Sequence, residues 1–485
     1  MFESAAPKRL PDMEVSAGNA TRFSIGIKLN YGNISRYVWD FGNGDVVQAT
    51  TNFVDYTYEK CGAYNASVKV VGEFNRTVSA FANVRVRPQA VSWCSFQAGP
   101  DHSGFLPYAE IPKNPSVLWR TSTPVISYPV TSAENNAIYF ISVDGFCNAI
   151  GASDGREVWK TRIFGELGNG IFSIPDNMPA IAYDSNRVFA GTDDGCVICL
   201  NASDGTRLWK TRAGFPGILG TGALVSGSIS VKRGVVFAVS GQQPFGENSV
   251  TDLVAMGRKS SGGAFAIDAA SGQTIWSFFG PFYGGIGGSA VSAANCCIYG
   301  STDGNFYSIK NSNAALKTSS DVNWNFQIRG TPAYPPAVLG RTVLVPAEND
   351  GLYAIDDSSG NVFWHFGAVD RSGQSESTAS AIFNKMAYVG FGKSLYCLNI
   401  SNGNPIWNFE SDVTFESPPV VADGKVLAQD SGGCIYILDA FNGSVIWEGI
   451  EQGSGSIGPV VFKDMFLVCS ECKEIVCYGS PDLLE

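Results

Sequence analysis

Asn201-Ala-Ser-Asp-Gly-Thr-Arg-Leu-Trp-Lys-Thr211 is the stretch whose reading decides the fold. Asp204-Gly205 reads as a tight-turn dipeptide, with glycine supplying the positive φ that a two-residue hairpin needs. The returning strand then carries Trp209, four positions after the glycine. The same spacing recurs from Gly155 to Trp159, Gly272 to Trp276, Gly360 to Trp364, Gly403 to Trp407 and Gly443 to Trp447. At a fixed distance past its turn, each indole lands at the same place on its unit. There it can wedge between neighbouring sheets and bury roughly 150–250 Å². A unit that recurs every few tens of residues, built from several short strands with turn signals between them, is the signature of a propeller or solenoid.

Counting units closes a ring. Trp119, Trp159, Trp209, Trp276, Trp324, Trp364, Trp407 and Trp447 mark eight outer strands, of which Trp119 and Trp324 lack the preceding glycine. Ahead of Trp209 the chain reads as an inner strand over 179–183, a second over 187–191, a turn at Asp194-Gly195 and a third strand over 197–200. The repeats begin with a lone outer strand over 117–121 and end with three strands, from Gly458 to Tyr478, that lack a fourth. The first must complete the last, because closure removes an unpaired sheet edge. The expectation is an all-β chain with an eight-bladed propeller over 116–480, its first strand (116–122) closing the last blade (456–478).

Strand, Asp-Gly, strand, then Ala-x-Asp-x-x-x-Gly-x-x-x-Trp resembles the pyrroloquinoline-quinone-like (PQQ-like) propeller repeat. Ile267-Asp-Ala-Ala-Ser-Gly-Gln-Thr-Ile-Trp276 and Leu438-Asp-Ala-Phe-Asn-Gly-Ser-Val-Ile-Trp447 carry the resemblance most fully. The family implies eight blades, in agreement with the count from tryptophans. Upstream, Tyr37-Val-Trp-Asp-Phe-Gly-Asn-Gly44, Tyr58 and Gly62-Ala-Tyr-Asn-Ala-Ser-Val-Lys-Val70 resemble a PKD domain, a small β-sandwich of the immunoglobulin-like kind found in surface proteins. Asn43 stands where that family has a second Asp, and keeps the turn chemistry. Alternation supports a strand independently, with Tyr64, Ala66, Val68 and Val70 on one face and Asn65, Ser67 and Lys69 on the other. The expected domains are a PKD-like sandwich over 1–90, a Pro-rich linker over 91–115 and the propeller.

Composition bounds the partners. A formal net charge of −11 and the lack of a basic patch argue against nucleic acid. No apolar run of about 18 residues offers a membrane span. The start, Met-Phe-Glu-Ser-Ala-Ala-Pro-Lys, has no apolar signal-peptide core. The sequons at Asn19, Asn33, Asn65, Asn75, Asn201, Asn399 and Asn442 are glycosylation candidates for an extracellular or cell-surface protein. Asn201, Asn399 and Asn442 fall at the turn before the tryptophan strand, where Asn is also favoured for its own turn chemistry. Among 12 cysteines, Cys199 and Cys397 occupy equivalent mid-strand positions and read as buried thiols, while Cys469, Cys472 and Cys477 surround one hairpin and are disulfide candidates.

Material for catalysis is scarce. Enzymes of the PQQ-like family, as the resemblance implies, hold the quinone on the ring axis with a calcium ion, carboxylate and amide ligands, an Asp base and often a disulfide between adjacent cysteines. Cys296-Cys297 is such a pair, but it reads as mid-strand, where neighbours point to opposite faces and a vicinal bridge strains the peptide. The haem attachment motif Cys-x-x-Cys-His is absent, since Leu200 follows Cys199 and Lys473 follows Cys472. With only two histidines, His102 and His365, His-based acid–base or zinc chemistry has little to work with, and His365, next to Trp364, reads as structural or solvent-facing. Neither a phosphate loop nor a Gly-x-Ser-x-Gly elbow appears.

The two faces of such a ring differ. Tryptophan-side turns with three sequons open on one face. Long connections open on the other, over 164–177, 280–288, 367–377 and an insertion over 242–261. Long connections on a rigid scaffold usually bind something, which makes Phe245, Arg258, Phe282 and Tyr283 interaction candidates. The lone first strand starts at the sequon face, so the linker arrives there. The sequence therefore reads as a non-catalytic extracellular structural or adhesive protein with no cofactor. Its modules engage proteins, copies of itself in a filament or layer, or glycans. The alternatives are a scaffold propeller docking partner proteins, and a PQQ- and calcium-dependent quinoprotein dehydrogenase.

Overall fold

The computed structural model describes residues 8–16, 18–26, 33–58, 62–73, 76–87, 92–107, 109–164, 179–213, 224–225, 228–241, 263–278, 285–291, 296–301, 303–311, 316–329, 332, 334–347, 350–367, 377–451, 457–469 and 474–480. They fall into two compact units, Met1–Val91 with Pro107–Glu110, and Ser92–Leu106 with Ile111–Glu485. Among the described residues there is no α-helix; the regular elements are strands and 3-10 turns, such as the one at Ser319–Asp321.

The first unit is a sandwich of a six-stranded and a two-stranded sheet. The larger runs Lys8–Arg9, Thr77–Arg87, Gly62–Gly72, Ile34–Asp40, Val46–Ala49, with Met13–Ser16 also paired to Thr77–Arg87; the smaller pairs Ala20–Ser24 with Phe53–Thr57. Alternation along Gly62–Gly72 comes out as read. Ala66, Val68 and Val70 are buried with Trp39, Phe41 and Tyr58, while Asn65 and Lys69 are exposed.

The second unit is built from eight sheets among the described residues, each an antiparallel set of inner, second, third and outer strands. Sheet one is Val130–Ser132, Ala137–Ile141, Phe146–Gly151 and Glu157–Arg162, and sheet two is Ile181–Asp184, Arg187–Gly191, Cys196–Asn201 and Arg207–Arg212. Sheet three has Leu224–Val225 and Ser230–Lys232 on its inner edge, then Val235–Gly241, Gly263–Asp268 and Thr274–Phe278; sheet four is Gly285–Val291, Cys297–Ser301, Asn305–Ile309 and Val322–Gln327. Sheets five to seven repeat the plan, with inner strands Ala337–Leu339, Ala381–Phe383 and Val420–Ala422 and outer strands Val362–Phe366, Pro405–Glu410 and Val445–Ile450. In sheet eight Val460–Phe462, Met465–Cys469 and Ile475–Gly479 are completed by Ser116–Thr121, from the other end of the repeats. Arg120 on that closing strand grips Glu451 with two hydrogen bonds of 2.8 Å.

The repeated turn is longer than the expected two-residue hairpin. Asn201 N–H donates to the Thr206 carbonyl at 2.8 Å and Gly205 N–H to the Asn201 carbonyl at 2.9 Å, leaving four residues in the loop. Gly205 has φ +71°, so the left-handed requirement holds. The glycine also has a second task that its spacing to the same blade's tryptophan does not disclose. A Cβ on Gly205 would sit 2.6 Å from the ring of Trp159, one blade back, and Gly155, Gly272, Gly360, Gly403 and Gly443 stand in the same relation to Trp119, Trp209, Trp324, Trp364 and Trp407. Each indole lies on the next blade's glycine and donates its N–H into that turn: Trp119 to Ala152 O at 3.0 Å, Trp159 to Ala202 O at 2.8 Å, Trp209 to Ala269 O at 3.1 Å, Trp324 to Asp357 O at 2.6 Å, Trp364 to Ile400 O at 2.8 Å and Trp407 to Ala440 O at 3.0 Å.

A glycine missing before one tryptophan is therefore felt by the tryptophan of the blade before. Trp119 and Trp324 dock like the rest. Trp276 faces the glycine-free turn of sheet four; it bonds Asn311 Oδ1 at 2.7 Å, lies under Lys317 Nζ, and has its strand paired with Leu316–Lys317 as a parallel fifth strand. Trp447 packs against Tyr478 of sheet eight, ring centroids 5.9 Å apart. These contacts link every sheet to the next, and sheet eight to sheet one, so the ring is closed.

Across the strand from each tryptophan the side chain is small in seven of eight blades: Cys477, Ala149, Cys199, Ala266, Ser308, Ala354 and Cys397, with Ile437 the exception. Cys199 and Cys397 are thus the buried thiols expected, each opposite an indole. Of the hairpin cysteines, Cys469 lies across from Ile475 and Cys477 across from Leu467, and both are buried. Cys472 lies outside the described residues.

Candidate functional site

Each inner strand is the last of its sheet and turns one row of peptide groups toward the hub. What meets them is Ser92–Leu106, which the sequence reading assigned to the linker. The Trp93 carbonyl accepts from Thr131 N at 2.9 Å, Cys94 O from Tyr183 N at 2.7 Å, Asp101 O from Val338 N at 2.8 Å, Ser103 O from Ile382 N at 2.6 Å and Gly104 O from Val421 N at 2.8 Å. Those donors belong to sheets one, two, five, six and seven. Sheet three contributes Ser228 and Ser230, whose hydroxyls lie 3.3 and 3.0 Å from His102 Nε2. One short segment thereby touches six of the eight inner edges. Removing it would strand five N–H groups, at about 1–3 kcal/mol for each that stays buried.

The segment is shaped for that place. Trp93, Ser95, Phe96, Gln97, Ala98, His102 and Leu106 are all buried, and Phe96 stands edge-on between His102 and Tyr128, with centroids 5.4 and 4.7 Å away. Gln97, Ala98 and His102 take left-handed φ of 52°, 74° and 53°. For non-glycine residues this costs of order 1 kcal/mol each, tolerated only where the surroundings over-determine the backbone. Gly104, φ +61°, has no room for a Cβ, which would lie 2.0 Å from Gln97 Oε1 and 2.7 Å from Ala381 Cβ.

The hub segment carries one acidic group, the Asp101 carboxylate, whose Oδ1 accepts from Ser103 N at 3.4 Å, and one imidazole. Burial pushes the His102 imidazole down to about 3, with the Pro336 carbonyl opposing, so the ring is uncharged at ordinary pH. Beside it stand hydroxyls, amides, backbone carbonyls and the Asp101 carboxylate. Among the described residues no three His, Cys, Asp or Glu side chains gather as metal ligands. Cys296 accepts a hydrogen bond from Asn323 at 3.0 Å, and Cys297 is buried in the core shared by sheets three and four. The two are not joined.

Other candidate residues fall as follows. His365 has its Nε2 2.5 Å from the Asp350 carbonyl and stacks on Tyr353. Asn19, Asn33, Asn65 and Asn442 are exposed, and Asn201 and Asn399 are half-buried, each with its side-chain oxygen accepting, at 2.9 Å, the N–H two residues on. Asp268, Asp356 and Asp439 cap the same position in sheets three, five and seven, so Asn201 and Asn399 perform the turn chemistry. Asn442 sits three places later in its turn and is not their equivalent. Asn75, Phe245, Arg258, Phe282 and Tyr283 lie outside the described residues. Sequence reading missed Ser92–Leu106; the signal was Trp93, Phe96, Phe105 and Leu106, too apolar a set for a solvated linker.

A closed ring of four-stranded sheets docked by tryptophans on glycines, preceded by a small β-sandwich, defines a PQQ-like propeller protein with a PKD domain. The chain belongs to the family described as outer membrane protein assembly factor BamB, whose repeat matches residues 112–239, 260–408 and 383–467, and the PKD domain matches residues 4–86. One curated relative is outer membrane protein assembly factor BamB of Yersinia pestis, 24% identical over 249 residues, which are 45% of this chain and 62% of that protein. A second is tetrathionate hydrolase of Acidithiobacillus ferrooxidans, 28% identical over 270 residues, 48% of this chain and 53% of that protein. The chain therefore spans less than two thirds of the length of either. Among solved structures, quinohemoprotein alcohol dehydrogenase ADHIIG of Pseudomonas putida HK5 superposes with a TM-score of 0.60 at 14% identity, covering 80% of each chain, a likeness of fold alone. No helix of the described residues is long and apolar enough to cross a membrane.

Proposed function

We propose that this chain is a non-catalytic interaction protein of the cell exterior, secreted or associated with an outer membrane. In this reading the propeller serves as a rigid docking scaffold for proteins and the PKD domain as a second contact module. One observation carries the reading: the hub is taken up by the chain's own Ser92–Leu106, through neutral donors and acceptors. With that part of the axis occupied, contacts with other molecules fall to the exterior. The BamB description adds support, since it names an assembly factor and not a catalyst.

The second reading, a quinoprotein dehydrogenase, is favoured by the shared fold. The two separate in an absorbance titration of the full chain with pyrroloquinoline quinone in the presence of calcium. No saturable change is expected at micromolar protein. Stoichiometric, calcium-dependent binding would reverse the order of the two readings.

A further inference from the structure

The contacts of Ser92–Leu106 have a direction. Between the two backbones the ring supplies N–H donors from five sheets and the segment supplies carbonyls, with Leu106 N–H to Val421 O, at 3.1 Å, the return bond of that edge; Trp93 N–H to Thr131 Oγ1 at 2.9 Å and Gln97 Nε2 to Pro419 O at 3.3 Å add bonds through side chains. The segment belongs to no sheet; its one strand-like contact is the parallel bridge from Phe105 to Val421. Its own bonds, Cys94 N to Ala98 O at 2.8 Å, His102 N to Gly99 O at 3.0 Å and Gly104 N to Gln97 O at 3.0 Å, gather it into one compact piece. The ring, conversely, closes without it. Neither the indole–glycine contacts nor the pairing of Ser116–Thr121 with Ile475–Gly479 uses any of its residues.

We infer that the hub of this propeller is a peptide-binding site, whose ligand class is a compact segment presenting backbone carbonyls to the inner strand edges, and that Ser92–Leu106 is that ligand, supplied by the same chain. Extended peptides are commonly captured through the free edge of a sheet; here several edges converge on one segment. Shape adds selectivity at Gly104, where any side chain meets Gln97 and Ala381, and at His102, which lodges between two serines of sheet three. The inference stands apart from the reading of the exterior as a docking scaffold.

The test uses the full chain with a protease site inserted between Lys113 and Asn114, both exposed, cut in the folded state. The fragment ending at Lys113 is expected to stay with the propeller through gel filtration at micromolar concentration, and an excess of a synthetic peptide copying residues 92–106 is expected to release it. In the same cut chain Gly104→Val should weaken retention about ten- to a hundredfold, the usual effect of overpacking a filled site. Ser230→Ala, which removes a hydroxyl and disturbs no packing volume, should weaken it less. Three results would overturn the inference. They are immediate loss of the fragment with tryptophan fluorescence unchanged, loss only as that fluorescence collapses, and retention indifferent to the peptide and to both substitutions.

Discussion

Replacing Gly205 with alanine isolates the contact that repeats around the ring. Two costs add at this position. The backbone, at φ +71°, would hold an L-residue in the left-handed region, for about 1 kcal/mol. The new methyl would also lie 2.6 Å from Cε3 of Trp159 and 2.6 Å from Thr161 Oγ1, so the indole must retreat from its seat, a displacement worth about 1–3 kcal/mol. Gly234 provides the control, because it has φ +74° with nothing within 4 Å of a Cβ, and Gly234→Ala carries the backbone cost alone. Denaturant unfolding followed by tryptophan fluorescence should place Gly205→Ala about 1–3 kcal/mol below Gly234→Ala. In a Trp159→Ala background, where the ring is gone and only Thr161 Oγ1 is still crowded, the difference should shrink. Equal losses for the two glycine variants, or an undiminished difference without the indole, would refute the docking of each tryptophan on its neighbour's glycine.

Two other expectations follow from buried groups. His102 has a folded value of about 3, well below that of an exposed imidazole, so the unfolded chain binds a proton that the native chain refuses. Its contribution is present above about pH 6.5 and is lost as pH falls toward 3, with a slope of at most about 1.4 kcal/mol per pH unit. Unfolding midpoints measured from pH 7 to pH 4 should fall less steeply for His102→Gln than for the parent, and parallel curves would contradict a buried neutral imidazole. Thiol accessibility offers a second check. Cys199 and Cys397, pushed up to about 12 by burial, should resist a thiol reagent until the chain unfolds, whereas half-buried Cys434 should react in the native state. Native labelling of Cys199 at the rate of Cys434 would show that the blade interior is open to solvent.

How far the fold can be read from the chain depends on which contacts are local. The turn glycine, the alternation through Tyr64–Val70 and the apolar third strands each express a constraint within a few residues, so they are visible in one dimension. The partner of each tryptophan is not. Its spacing to Gly205, Gly272 or Gly403 within the same blade is regular because both positions repeat, while the physical contact runs to the blade before. The short turn assigned to Asp204-Gly205 erred for a related reason: the Asp-Gly pair signals a positive φ but says nothing about how many residues the loop holds.

The candidate site was the harder case. Ser92–Leu106 has no periodicity, contains Gly and Pro, and bonds to residues lying between 38 and several hundred positions away, such as Thr131 and Pro419. Propensity describes such a stretch as a connection. Only the convergence of inner strand edges, each leaving peptide groups unpaired at the axis, turns it into a filled hub, and the same convergence makes His102 a neutral buried ring. The sequence by itself determined that this chain is β throughout, repeats, closes on itself and begins with a PKD domain, because those follow from local turn chemistry and apolar spacing. Tertiary structure alone decided which indole rests on which glycine, and what occupies the middle, since both depend on groups that chain order keeps far apart.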